Sequence, residues 1–241
     1  MTQKKLIIPF LLVFMINATA QDALLTGNRI IGGGFAITQS DQNSEHPINY
    51  YYQDEETSIS SFSFSPYYGR IYEDHTMVGI RLNIANSSID RENGDDNSIW
   101  TSEYSTRSYG IGGFIRKYFP STDRFGVFVQ SGIDLRHSKS ESLFTNVSFN
   151  DSFPDQWSSQ DTWTITGSID AEAGLYFFIL SQLTIETNLA RFALGYSDME
   201  ITSVLNENGE RIKGEGDSVD VNFNIINHFT FDKIFTLNYY F

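Results

Sequence analysis

The last part of the chain alternates between apolar and polar residues with a period of two. Period-two spacing places the apolar residues on one face of an extended strand. In water, a terminal strand with one long apolar face would invite aggregation, so the pattern is typical of a strand whose apolar face contacts lipid. The apolar side chains at odd positions are Val219, Val221, Phe223, Ile225, Phe229, Phe231, Phe235, Leu237, Tyr239 and Phe241.

Seven earlier segments alternate in the same way, and their outward apolar sets begin at Ile31, Phe62, Val78, Tyr109, Phe125, Trp163 and Leu183. In the seventh segment the apolar phase slips by one position near Ala190, which predicts a β-bulge there. Alternating segments of roughly this length are the sequence signature of a membrane β-barrel.

The connections between the segments alternate in length. Four are predicted to be long, polar and acidic loops, and three are predicted to be short turns. Bacterial barrels have long outer loops, short periplasmic turns and an even number of strands. The sequence therefore predicts an all-β fold, an eight-stranded antiparallel up-and-down transmembrane barrel. The long connections are 40–57, 85–103, 138–161 and 197–216, and the short ones are 70–76, 120–124 and 181–182.

The terminal alternation is longer than a membrane span requires. It covers residues 219–241, whereas roughly 9 to 11 strand residues cross a bilayer. We predict one continuous strand that projects above the membrane, because the phase is kept throughout. A local break at Asp232 and Lys233 is the alternative.

The N-terminus has the parts of a secretory signal peptide. Lys4 and Lys5 precede an apolar run over 6–16, and Ala18 and Ala20 form an A-x-A site. The run is too short for a transmembrane helix. We expect cleavage after Ala20, which divides the chain into a signal peptide, 1–20, and a barrel domain, 21–241, exported to the outer membrane.

With its eight alternating segments and aromatic C-terminus, the chain resembles the eight-stranded outer-membrane β-barrel family of the OmpA/OmpX type. The resemblance covers 21–241 and is most specific in the final strand, where Phe241 follows another aromatic residue, Tyr239, by two positions. In that family the terminal aromatic residues form the signal that the barrel-assembly machinery reads. The resemblance also implies outer-membrane lipids and lipopolysaccharide as the surroundings of the barrel.

Composition excludes several classes of function. The chain carries 16 basic and 30 acidic residues; loss of Lys4 and Lys5 leaves 14 against 30, a net charge of −16. Such a charge repels phosphate backbones and argues against nucleic acid as a partner. The absence of cysteine excludes disulfides and thiol chemistry. We find no phosphate-binding loop, dinucleotide fingerprint or metal-ligand spacing, and predict no cofactor and no metal.

The inward positions of the predicted strands carry charged residues. Because an eight-stranded barrel is just wide enough for its interior to be filled by side chains, such charges must be paired or hydrogen-bonded. We predict a structural salt-bridge plug; a proton or ion path is the alternative. The residues are Arg81, Arg116, Asp134, Arg136, Asp170, Glu172, Glu186 and Arg191.

Three functions remain open from the sequence. The first is a structural or surface-interaction protein whose loops contact an extracellular ligand, and the second is a narrow porin for ions or small solutes. The third is a lipid A hydrolase, since barrel deacylases use a His-Ser pair, here His137 and Ser138. Neighbouring residues of a strand point to opposite faces, so we predict that the protein is not an enzyme.

Overall fold

The computed structural model describes residues 20–48, 51–94, 98–148, 156–205, 211–225 and 236–241. A short 3-10 helix, Ala20–Leu24, precedes nine antiparallel strands. Within these residues, no helix is long and apolar enough to cross a membrane. The strands are β1 Arg29–Ile48, β2 Tyr51–Glu73, β3 Thr76–Gly94, β4 Ser98–Pro120, β5 Phe125–Ser148, β6 Gln156–Leu180, β7 Leu183–Leu205, β8 Arg211–Ile225 and β9 Thr236–Tyr240.

The strands form one sheet that closes on itself. Each of β1 to β7 pairs with the next strand along the chain, and β9 closes the ring by pairing with both β1 and β7. Above β9, β8 pairs with β7, and no pairing of β8 with β1 is found among the described residues. The predicted eight-stranded up-and-down barrel is confirmed, except that two strands, β9 below and β8 above, occupy the position of the eighth strand.

The barrel is apolar outside and polar inside. Outward side chains such as Phe35, Ile37 and Ile133 are 64–66% exposed on the outer face, whereas Arg116, Asp170 and Glu186 are buried in the lumen. An outer apolar band with a polar interior is the arrangement of outer-membrane barrels. The protein is an outer-membrane β-barrel.

The prediction of four long loops is wrong. Pairing between β1 and β2 continues as far as Ile48 and Tyr51, and pairing between β5 and β6 reaches Asn146 and Gln156. The polar segments are therefore raised β-hairpins whose tips, at 49–50, 95–97, 149–155 and 206–210, lie outside the described residues. The three short turns are present, and β2 extends to Glu73 before the first of them.

The prediction of one continuous terminal strand is also wrong. Glu186 of β7 pairs with Thr236 of β9, and Ala190 of β7 pairs with Ile225 of β8. Between these two pairs β7 advances by four residues, whereas the terminal segment goes back by eleven residues. A single paired strand cannot contain that change of register. Odd residues still face outward on both sides of it, which explains why the alternation looked continuous. Asp232 and Lys233, the alternative break, lie outside the described residues.

The predicted bulge in the seventh strand is confirmed. Ala190 pairs with Ala173 and Asn188 pairs with Gly174, so Leu189 is the extra residue of β7. Because of this extra residue, odd-numbered Ile185 and even-numbered Phe192 both face outward. Glu186 and Arg191 both face the inside of the barrel.

Candidate functional site

An upper charge cluster crosses the lumen from β3 to β7. The Arg81 guanidinium donates to both oxygens of Asp134, with Nε 2.9 Å from Oδ1, and its Nη2 lies 2.6 Å from Asp170 Oδ1. Arg191 Nε is 3.2 Å from Glu172 Oε1. Two guanidinium groups therefore hold three carboxylates, and charge-assisted bonds of this kind are the strong ones.

A lower cluster is centred on Arg116. Its guanidinium pairs with Glu186, and its Nε donates to Gln130 Oε1 at 2.9 Å. Gln130 in turn donates to Glu172 Oε2 at 3.2 Å, so the two clusters form one network. Tyr118 donates to Glu186 Oε1 at 3.2 Å. The two charged groups of the lower cluster, Arg116 and Glu186, are therefore paired with each other, as their burial requires.

Aromatic rings surround Arg116 and form a floor below it. Its Cζ lies 4.4 Å from the centre of the Phe128 ring, within the range of a cation–π interaction. The rings contact one another edge to face or tilted, at 5.2–6.4 Å between centroids. The rings and the Arg116 guanidinium pack against one another across the lumen. The floor residues are Tyr118, Phe128, Tyr176, Phe178 and Tyr240, all buried.

The segment before β1 covers the periplasmic mouth. Leu24 is completely buried, and its carbonyl accepts a hydrogen bond from the amide of His75 at 2.9 Å. Asp74 accepts from the Thr26 hydroxyl at 2.7 Å and from the Thr26 amide at 3.2 Å. These two bonds lower the pKa of the Asp74 carboxyl below its usual value of 3.8. The N-terminal segment is thus fastened to the β2–β3 turn.

Above the floor lies a cavity of about 380 Å³. One wall carries the charged groups of β5 to β7, including Glu172 and Arg191. Small residues of β1 to β4 and β9 line much of the rest of the cavity, beside Arg81 and Arg116, and leave this space open. The small residues are Gly34, Ala36, Ser63, Ser65, Ala85, Ser108 and Thr236. The lumen is therefore a polar vestibule above a sealed floor.

The other predicted site residues lie as follows. Arg136 lines the vestibule, is exposed and has no ion pair within 4 Å among the described residues. Tyr239 and Phe241 lie at the lower rim of the outer face, half exposed and stacked at 6.2 Å. His137 is exposed, and the centroid of its ring lies 5.5 Å from that of the Trp163 ring. Ser138, the next residue on the strand, belongs to the opposite face, so the two do not form a dyad.

Sequence reasoning missed the neutral partners of the charged residues. Tyr67 donates to Asn238 Oδ1 at 2.5 Å, and Asn238 donates to Thr184 Oγ1 at 3.0 Å. All three lie at inward positions of their strands, so the alternation could have identified them as lumen residues. No group of metal-ligating side chains capable of holding an ion is found in the part of the chain that the structure describes.

No protein-family model matches the chain, and no curated protein matches it. Among solved structures it is similar to the outer membrane protein OprG from Pseudomonas aeruginosa, with 14% identity and a TM-score of 0.36 over 90% of this chain and 97% of that one. It is also similar to a major outer membrane protein from Thermus thermophilus, with 8% identity and a TM-score of 0.39 over 89% of this chain and 99% of that one.

Proposed function

We propose that this protein is a non-conducting outer-membrane barrel of the OmpA/OmpX type that acts at the cell surface through its raised hairpins. The observation that carries the proposal is the sealed lumen beneath strands much longer than a bilayer needs. β6 has 25 residues, a length of roughly 80 Å along the strand. Since 9 to 11 residues cross a bilayer, roughly half of β6 or more belongs to a raised sheet.

The seal argues against conduction. The ion pair between Arg116 and Glu186, the aromatic floor and Leu24 follow one another toward the periplasmic mouth. A hydrated ion passing this level would have to separate a buried ion pair and displace packed rings. Separating the ion pair alone costs several kcal/mol, because it leaves buried charges uncompensated.

The raised hairpins suit contact with other molecules. They are held by backbone pairing rather than by a hydrophobic core, and they carry many exposed polar and acidic side chains, among them Asp90, Glu103, Asp161 and Glu200. A rigid scaffold that presents variable polar residues is a common basis for recognition.

The test uses refolded full-length protein in planar bilayers together with adhesion assays on cells. We expect no steady single-channel current, and reduced adhesion when one hairpin is shortened. Hairpins should be shortened one at a time to find the one that binds. A steady current from the wild-type protein, or unchanged adhesion by all four shortened variants, contradicts the proposal.

A narrow porin is the second candidate, and the vestibule of about 380 Å³ favours it. Under that function the floor would open to small solutes. Wild-type conductance distinguishes the two candidates. A variant with Tyr118, Phe128 and Phe178 all replaced by Ala provides the positive control, since removing three rings from the floor opens a path.

The proposal also covers how the protein is exported and assembled and which molecules it contacts. A signal peptide over 1–20 delivers the barrel domain, 21–241, and Tyr239 with Phe241 forms the signal for the barrel-assembly machinery. The lumen charges act as a structural plug and the protein has no enzymatic activity. Partners are outer-membrane lipids, lipopolysaccharide and an extracellular ligand of the hairpins. N-terminal sequencing of the mature protein tests the first of these: it should begin at Gln21.

A further inference from the structure

Two basic residues lie directly opposite each other on the outer face. Arg107 of β4 pairs with Lys139 of β5, one step above the pair formed by Tyr109 and His137. Further down, the outward pairs are apolar, as with Ile111 and Leu135. Arg107 and Lys139 therefore sit just above the apolar band on this side of the barrel, at the level of lipid headgroups in the outer leaflet.

Two carboxylates lie near this pair: Glu141, which interacts with both basic residues, and Asp161, which interacts with Lys139. Lys139 forms a salt bridge with Glu141, and its Nζ lies 5.1 Å from the centre of the Trp163 ring. Arg107 is exposed, has Asn86 and Lys139 as its cross-strand neighbours, and forms no salt bridge within the described part of the chain. Like charges directly opposite each other destabilise a sheet; Glu141 offsets part of this cost, and an anion bound beside Arg107 would offset more of it.

A depression in the outer face lies lower and to one side of the pair, on β6 to β8. It has a volume of about 410 Å³. Its lining includes the apolar residues Ile169, Leu194, Tyr196 and Val219, and also the polar residues Asp134 and Ser168. Gly167 leaves the depression open, since a Cβ added there would meet no atom within 4 Å. Gly167 is four residues below Trp163 on β6, a distance of about 13 Å along the strand.

We propose that this face binds one outer-leaflet lipid with a phosphorylated headgroup. The phosphate oxygens lie between Arg107 and Lys139, and an acyl chain lies over Gly167. The planar guanidinium suits bidentate contact with phosphate, and Trp163 and Tyr109 occupy the interface where aromatic rings are favoured. The inference rests on the outer-membrane location of the barrel and adds a specific site to it.

The experiment is native mass spectrometry of refolded full-length protein in detergent micelles. The probes are bis-phosphorylated lipid A, the same lipid after dephosphorylation, and inorganic phosphate. We expect retention of lipid A and at least tenfold weaker retention of the dephosphorylated lipid. Equal binding of the two lipids overturns the proposal, and so does binding of inorganic phosphate as strong as that of lipid A, since the site would then take free phosphate.

Matched variants test the residues. Replacing Arg107 or Lys139 by Gln should each weaken lipid A binding about fivefold, as expected for one basic residue near an anionic surface. The control is Lys213→Gln, because Lys213 is also an exposed lysine near a carboxylate, 3.9 Å from Glu200. Glu141→Gln should strengthen binding by releasing Lys139. Equal losses in the Lys139 and Lys213 variants overturn the proposal.

The depression has its own test. Gly167→Leu should weaken binding roughly fivefold, because the new side chain takes the place of acyl-chain contacts. Unchanged binding overturns the acyl-chain part. All variants are first assayed for the heat-modifiable gel shift of a folded barrel. A wild-type chain without that shift defeats the proposed barrel function, whereas a folded barrel without lipid preference defeats only this site.

Discussion

Arg116 combines more interactions than any other lumen residue described above. Its guanidinium meets Glu186, Gln130, the hydroxyl of Tyr67 at 3.2 Å and that of Tyr118 at 3.3 Å. The sequence could identify Arg116 and Glu186 as inward charges from their phase. It could not identify them as partners, because they lie on β4 and β7, and which strands face each other across the lumen depends on the stagger of the whole barrel.

Replacing Arg116 by Met should destabilise the barrel by about 3–5 kcal/mol, because Glu186 would be left as an uncompensated buried charge. The measurement is urea unfolding in lipid vesicles, followed by tryptophan fluorescence. The double variant Arg116→Met, Glu186→Gln is the control and should recover much of the loss. A double variant as unstable as the single one would show that packing of the Arg116 stem, not its charge, accounts for the effect.

The pKa of Asp74 should show whether the N-terminal segment is bound to the β2–β3 turn through Thr26. Its pKa is lowered by the two hydrogen bonds from Thr26, so the folded state favours the charged carboxylate. The stabilisation is therefore present above the usual pKa of 3.8 and is lost as the pH falls through the lower, folded-state pKa. Thr26→Ala removes the hydroxyl bond and should raise the pKa of Asp74 toward 3.8, measured by NMR titration. An unchanged pKa would contradict this account.

At the scale of strands, alternation located the segments within the apolar band and the bulge at Leu189, but not the raised halves of the strands. In upper β2 the outward residues are Ser58 and Ser60, while Ile59 points inward. With water on the outside, the outer face no longer needs to be apolar, so the contrast between faces disappears. Backbone pairing continues without it, and the segments were therefore predicted as loops.

Deleting Leu189 should leave the barrel folded. Without this extra residue β7 becomes regular, and Glu186, Arg191 and Phe192 keep their faces. Deleting Ile133 from the regular strand β5 is the control, because the loss of one residue moves half of a strand's side chains to the opposite face. The heat-modifiable gel shift measures both. We expect a shift for the first variant and none for the second; no shift for either would mean that the bulge itself is required.

At the scale of the whole molecule, the interactions that seal and stabilise the lumen lie in its lower half. The upper cluster from Arg81 to Arg191 and the floor below it belong to the part of each strand that carries the outer apolar band. The sequence predicted the sign and face of these charges because membrane strands must alternate. It did not predict the depth of the raised sheet, since polar residues paired in water leave no periodic signal.

The raised hairpins should therefore be dispensable for folding. Replacing residues 141–161 of the β5–β6 hairpin by a two-residue Asn-Gly turn removes paired strand that lies above the apolar band. Because Asp134, Arg136 and Asp170 remain, we expect the variant to insert into lipid vesicles and to keep the heat-modifiable gel shift. Its free energy of unfolding should stay close to that of the full chain, because surface strands without a core contribute little.

A deeper cut in the same hairpin provides the control. Removing residues 133–169 takes away Asp134 and the upper part of the outer apolar band, so Arg81 loses its main partner. A buried guanidinium without that partner costs several kcal/mol, a large fraction of the stability of most folded proteins, and this variant should fail to insert. If the shallow cut also abolished insertion, the raised sheet would be part of the folding unit, and its length would reflect assembly rather than contact at the cell surface.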